Sequence, residues 1–185
     1  MRIATLSERT ERRRLAVVAA ARACFLRYGY AKTSLNDIAK EARISRPLLY
    51  LVYKNKEAMF KAVFEALYPA RFPAVERVVS GRGPLGERLF EAYEKLVLEP
   101  WGELFGMPAA AEFAESAREI LPLATAAYAR RRLRYTQDLL GDRELAEVFA
   151  LAVDGLMTDR PSTTLLRKRL QILVARFVSA HIVKD

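Results

Sequence analysis

The stretch SLNDIAKEARISRPLLY, residues 34–50, constrains the fold more than any other part of the chain. Two helical segments, each too short to be stable alone in water, flank a break at Ala42-Arg43-Ile44-Ser45. Ser34, with Asp37 three residues on, has the spacing of a capping box for the first segment. Ser45 can cap the second, and Pro47 falls in its first turn, where a missing N–H does no harm. Ile38, Ala39, Ile44 and Leu49 face inward, and small Ala39 and Ala42 permit a neighbouring helix to approach. Arg46, Pro47, Leu48 and Tyr50 face largely outward. Two readings stay open at this point. One is a helix-turn-helix that presents its second helix to a DNA major groove; the other is an ordinary helical corner in a bundle.

Charge bears on that choice. Residues 1–60 hold 13 Lys/Arg against 5 Asp/Glu, whereas residues 61–185 hold 18 against 17. A basic end on a near-neutral body suits a polyanionic partner, and it equally suits a soluble basic arm. The basic run from Arg2 through Arg14 divides in the same way, between a flexible arm touching DNA and a solvated tail.

Around this motif the pattern is helical throughout. From about Ser7 to Tyr28, Val17, Ala20, Ala21, Cys24, Phe25 and Tyr28 form one apolar stripe, and Gly29 suits the left-handed helix end. Residues 55–68 make a further amphipathic helix, with Asn55 as its cap and Met59, Phe60, Val63 and Leu67 inside. Pro69 and Pro73 disturb the chain beyond it, and GRGPLG at 81–86 is the strongest turn signal. Helices are expected near 84–98, 108–119, 121–139, 142–157 and 162–182, with breaks at Glu99-Pro100 and Leu121-Pro122. No strand alternation is visible, so the expected class is all-α.

Several function classes drop out on composition. One cysteine, Cys24, excludes an internal disulfide and a Cys-rich metal site, and reads as a packing residue. One histidine, His181, argues against zinc and against a histidine-based triad, so no metal or cofactor is expected. Glu112, Glu115 and Glu119 lie at helical spacing, but no partner set or glycine loop accompanies them, and no enzymatic activity is expected. There is no apolar run of about 18 residues and no apolar signal core, so the expectation is a cytoplasmic protein.

Phe25, Gly29-Tyr30, Thr33-Ser34, Ile38-Ala39, Ser45, Leu49-Tyr50 and Lys54-Asn55-Lys56-Glu57 stand in an order and spacing that resembles the TetR family of bacterial transcriptional regulators. The resemblance covers about residues 14–60. It implies a homodimeric repressor: a three-helix helix-turn-helix DNA-binding domain, residues 1–55, followed by a helical ligand-binding and dimerisation domain, residues 56–185. It places dimerisation on the last two helices and implies a palindromic double-stranded operator and a small-molecule effector. Two positions depart from the family pattern. Arg43 stands at a turn position that usually carries glycine, and a residue with a Cβ costs about 1–2 kcal/mol there if the turn keeps a positive φ. Val52 stands where the family commonly has His or an aromatic residue.

Candidate contacts divide into those that position and those that specify. Lys54, Lys56 and the Tyr50 hydroxyl are expected at phosphates, as are Thr33 and Ser34 at a helix N-terminus, with Asn36 near the groove or backbone and Arg43 reaching a phosphate. Ser45 begins the recognition helix. Arg46 either reads guanine O6 and N7 or meets a phosphate, and Pro47 and Leu48 offer apolar contact to a thymine methyl. In the body, Tyr93, Trp101, Phe105, Met107, Phe113, Tyr128 and Tyr135 line a ligand cavity on one reading and fill the core on the other. The run Arg130, Arg131, Arg132 and Arg134 is a solvated face, or places Arg131 or Arg132 beside Tyr128 and Tyr135 for an anionic effector. In the final segment, Leu165, Ile172 and Ile182 lie off the main apolar stripe, which leaves a second face for a partner subunit.

Overall fold

The structure, a computed structural model, describes residues 6–182. Arg2 lies outside them, and the side chains of His181 and Ile182 lie outside the described ones. Among the described residues there is no strand; the elements are helical and the chain divides into two compact units.

The first unit holds α1 (Leu6–Tyr28), α2 (Leu35–Glu41), α3 (Arg46–Val52), α4 (Lys56–Leu67) and, from later in the chain, α8 (Ala110–Ile120). The first unit runs on through Leu67: α4 packs on α1, and residues 106–122 return to the same unit. The reason lies in the aromatic core. Phe60 of α4 meets Phe25 at 5.2 Å, Tyr30 at 4.8 Å and Phe113 of α8 at 4.8 Å between ring centroids. Without Phe60 and Phe113 the underside of α1 would face water. The basic residues Arg9, Arg12, Arg13 and Arg14 lie on the exposed first turns of α1, so from Leu6 onward the expected arm or tail is helix.

The second unit holds a 3-10 turn (Pro69–Arg71), α5 (Phe72–Ser80), α6 (Leu85–Tyr93), a π-helical turn (Glu94–Leu98), α7 (Glu99–Leu104), most of α9 (Pro122–Leu140), α10 (Arg143–Gly155) and α11 (Thr163–Ile182). Helix α5 was not expected, because Pro69 and Pro73 read as breakers; Pro73 in fact occupies the first turn of the helix, where proline is tolerated. Val75, Leu89, Tyr93, Leu96, Phe149, Val153, Leu166, Leu170 and Val174 form the core.

Pro100 was expected to separate two helices, yet α7 follows the π turn without a gap. A proline at that point removes the N–H that the Leu96 carbonyl would accept in an α-helix. The Tyr128 hydroxyl donates to that carbonyl instead, at 2.7 Å. Burial holds the Tyr128 phenol well above the ordinary tyrosine value, so it stays a donor.

Candidate functional site

Helices α2 and α3 are joined by a C-terminal cap of defined geometry. The Arg43 N–H donates to the Lys40 carbonyl at 3.1 Å, and the Ile44 N–H to the Ala39 carbonyl at 3.0 Å. These are the two bonds of a Schellman motif, and Arg43 takes its left-handed position with φ of 54°. The positive φ expected of this turn is present, with arginine where glycine is least strained. Arg43→Gly is expected to raise the stability of the first unit by about 0.5–1 kcal/mol, the relief of Cβ strain less the extra freedom of glycine in the unfolded chain. A urea midpoint unchanged or lowered in that variant would contradict the strain argument.

The capping box at the start of α2 is formed. Ser34 Oγ donates to the Asp37 carboxylate at 2.6 Å, and the Asp37 N–H donates to Ser34 Oγ at 3.2 Å. The Ser34 hydroxyl and N–H hold the Asp37 carboxyl below its ordinary value. On α3, Leu49 is fully buried and Leu48 half-buried, while Ser45, Arg46, Pro47 and Tyr50 are exposed. Arg46 and Tyr50, one turn apart, share the outer face: the guanidinium carbon lies 5.8 Å from the ring centroid. Ser45 stands at the N-cap with its side chain making no cap bond. Asn36, Lys54 and Arg43 are exposed or half-buried at the same surface. Leu51, 83% exposed at the same end of the motif, was not singled out by sequence.

One expected phosphate contact is corrected, and a second is partly engaged within the unit. Thr33 is 2% exposed, and its hydroxyl donates to the carbonyls of Gly29 at 2.7 Å and Cys24 at 3.2 Å. It closes the frayed end of α1, where Gly29 adopts φ of 83°, instead of presenting itself to DNA. Lys56 is half-buried: its ammonium donates to the carbonyls of Tyr30 at 2.9 Å and Thr33 at 3.1 Å and sits 4.3 Å from the Tyr30 ring centroid. Two of its three protons thus tie α4 to the α1–α2 loop. Sequence position beyond the recognition helix could not reveal those carbonyls. Tyr53, beside Val52, was also missed. It is buried, and its hydroxyl accepts from Arg14 Nε at 3.3 Å, which raises the Arg14 guanidinium above its ordinary value.

The seven residues expected at a ligand cavity are not brought together within either unit. Phe113 is in the aromatic core of the first unit, and Met107 is exposed there. In the second unit, Tyr93 is fully buried and donates to Thr136 Oγ1 at 2.7 Å, because the one Thr136 proton goes to the Arg132 carbonyl. Trp101 Nε1 donates to the Pro161 carbonyl at 2.9 Å, Tyr128 serves Leu96, and Phe105 is exposed. The Tyr135 hydroxyl donates to Glu76 at 2.9 Å and accepts from Arg131 Nε at 2.8 Å. Single residues in an apolar helix carry no label of which unit they enter, so composition alone had grouped them. In the arginine run, Arg131 and Arg132 already have acidic partners. Arg131 is paired with Glu76, holding that carboxyl below its ordinary value, and Arg132 makes a two-pronged pair with Asp154 at 2.8 and 2.7 Å.

Among the described residues no group of His, Cys, Asp and Glu could hold a metal ion, and no helix is long and apolar enough to cross a membrane.

The family-level likeness to known proteins lies in the first unit. The sequence profile of the bacterial regulatory proteins of the tetR family matches residues 17–63, from the inner stripe of α1 through α4. The HTH-type transcriptional regulator TtgR of Pseudomonas putida is 29% identical over 97 residues, which cover 50% of this chain and 46% of that protein. The chain thus spans about half the length of the curated relatives it matches. Solved structures extend the likeness in fold to the whole chain. A transcriptional regulator from Cytophaga hutchinsonii superposes with a TM-score of 0.70 at 15% identity, covering 89% of this chain and 95% of that one. The multidrug binding protein EbrR, complexed with imidazole, gives 0.56 at 19% identity over 87% and 94%. With a profile match centred on a formed helix-turn-helix, residues 17–63 are similar to the bacterial regulatory proteins of the tetR family, and the all-helical body is of like fold to solved regulators.

Proposed function

We propose that the protein is a homodimeric repressor that binds a palindromic DNA operator through α3 and leaves it when a small molecule binds. The observation that carries this reading is the division of α3: Leu49 anchors it from beneath, while Arg46, Pro47, Tyr50 and Leu51 are turned to solvent on a helix of groove-fitting size. Arg46 is the base-reading candidate. Tyr50, Lys54 and Arg43 are assigned to phosphates, Asn36 and the free N–H groups of α2 serve the backbone, and Pro47 with half-buried Leu48 touches a thymine methyl.

The dimer is proposed through α10 and α11. Val148 and Leu151 share one exposed face of α10, and Leu165 and Ile172 share one of α11. Apolar surface on adjacent helices favours a partner, and a two-fold axis would set two recognition helices about one DNA turn apart, or a multiple of it. A multidrug-binding protein of like fold is the ground for a small-molecule effector. Its action would be differential affinity: the ligand binds better to a conformation whose recognition helices no longer match successive grooves.

Selection of bound fragments from a random DNA library tests the reading, with a palindromic consensus expected; fragments without sequence preference would reject it. On that consensus, Arg46→Ala is expected to relax one base position in each half-site by about 1–3 kcal/mol. Unchanged relative affinities across operator variants would move Arg46 to the phosphate backbone.

A further inference from the structure

We propose that the groove between α5 and α6 is a binding site for a small multiply charged anion, of the phosphorylated or polycarboxylate kind. The groove is open to solvent, offers about 340 Å³ and is lined by Ala74, Arg77, Val78, Gly81, Arg82, Arg88, Glu91 and Lys95. That volume lies within the range of small-ligand sites. Its origin is visible in the spacing. On α5 and its end, residues 74, 77, 78 and 81 share one face, and on α6 and the turn after it residues 88, 91 and 95 share another. Ala74 and Gly81 are small, so space opens between the two helices, and the long cationic side chains form its walls.

Four cations face one carboxylate in this groove. Five other arginines of the second unit are matched with acids: Arg71 with Glu99 and Glu103, Arg131 with Glu76, Arg132 with Asp154, Arg167 with Glu94 and Arg169 with Asp159. The Arg77 and Arg82 guanidinium groups have no hydrogen bond or ion pair among the described residues. Arg88 is held in place from behind. Its Nε donates to the Val78 carbonyl at 3.2 Å and its Nη2 to that of Val79, closing the end of α5 and leaving Nη1 uncommitted. Lys95 is joined to Glu91 only at 3.7 Å. It sits on the π-helical turn Glu94–Leu98, a wider turn that changes the direction of side chains and often marks functional positions. One guanidinium fork held at the groove and two free to turn toward it match the paired oxygens of phosphate and carboxylate groups.

The site does not depend on the DNA-binding reading, since it is measured on the free protein. Pyrophosphate is titrated calorimetrically into the full chain at low and moderate salt, with citrate and orthophosphate in parallel. Saturable one-site binding is expected for pyrophosphate or citrate, and weaker binding for orthophosphate. Arg77→Gln and Arg82→Gln, both at exposed positions, should each weaken it about tenfold, the worth of one charged hydrogen-bonding partner. Glu91→Gln should tighten it, and Arg130→Gln, the same charge change at an exposed position away from the groove, should leave it unaltered. Absence of saturable binding of either anion to the folded protein would overturn the proposal. So would an equal loss in Arg130→Gln, which would mean a response to net charge. If the groove variants instead lower the salt dependence of DNA binding without any anion binding, the cations belong to a nucleic-acid surface and the proposal falls. A chain that binds pyrophosphate but no DNA would keep this site and lose the operator reading.

Discussion

Phe60→Ala is expected to cost the first unit about 3–5 kcal/mol, the range for removing a fully buried phenyl ring. The ring is 0% exposed and meets Phe25, Tyr30 and Phe113 in tilted and edge arrangements. Each aromatic pair adds about 0.5–1.5 kcal/mol beyond area burial, and truncation removes three at once. The neighbours cannot close over the gap, because they come from α1, the α1–α2 loop and α8 and are held by separate bonds, among them the Ala109 N–H to the Leu26 carbonyl at 3.0 Å. Against a domain stability of roughly 5–15 kcal/mol, such a loss leaves the unit partly unfolded at growth temperature. Since α3 is presented only by a folded first unit, DNA binding should fall with it. Hydrogen exchange at the amides of α1 and α4 separates this unit from the second. Leu51→Ala, at an exposed position in the same unit, should stay within about 0.5 kcal/mol of the parent. If the two variants exchange alike, Phe60 is not the centre of the core.

The difference between those two residues marks what sequence carries. The Ser34–Asp37 capping box and the Asn55 cap, whose Oδ1 accepts the Ala58 N–H at 2.7 Å, were legible because each is closed within a few residues, whereas the positive φ at Arg43 was raised only as a condition by the family resemblance. The burial of Leu49 and exposure of Arg46 followed from helical spacing alone. The bonds of Thr33 and Lys56 were not legible, for the opposite reason. Their partners, the carbonyls of Cys24, Gly29 and Tyr30, are brought near by the path of the chain, and a backbone carbonyl has no sequence signature. The return of α8 to the first unit is non-local in the same sense: Phe113 carries the same helical periodicity whichever core receives it. Pro100 misled because a breaker can be accommodated by one hydroxyl from elsewhere, here that of Tyr128.

Ile172→Arg combined with Leu151→Arg is expected to give a monomer whose DNA affinity has lost most of its sequence dependence. Leu151 is 71% exposed on α10 and Ile172 55% exposed on α11, and such apolar surface on neighbouring helices is the kind that a partner covers. In a two-fold interface each substitution occurs twice, so the double variant buries four like charges against one another with no counter-ion. A monomer reaches one half-site and neutralises half as many phosphates, so the slope of log affinity against log salt should fall to about half its original value. Sedimentation equilibrium and operator titrations at several salt concentrations measure the two effects on the same samples. Leu123→Arg is the control. Leu123 is 84% exposed but lies near the start of α9, so a charge there should leave both mass and slope unaltered. If Leu123→Arg separates the subunits and the double variant does not, the subunits associate through another face. In that case the two recognition helices are spaced by different geometry, and the expected half-site separation must be redrawn from it. If the unaltered protein is itself monomeric at micromolar concentration, the exposed residues of α10 and α11 have no copy of this chain to cover them, and an operator with two-fold symmetry loses its structural reason.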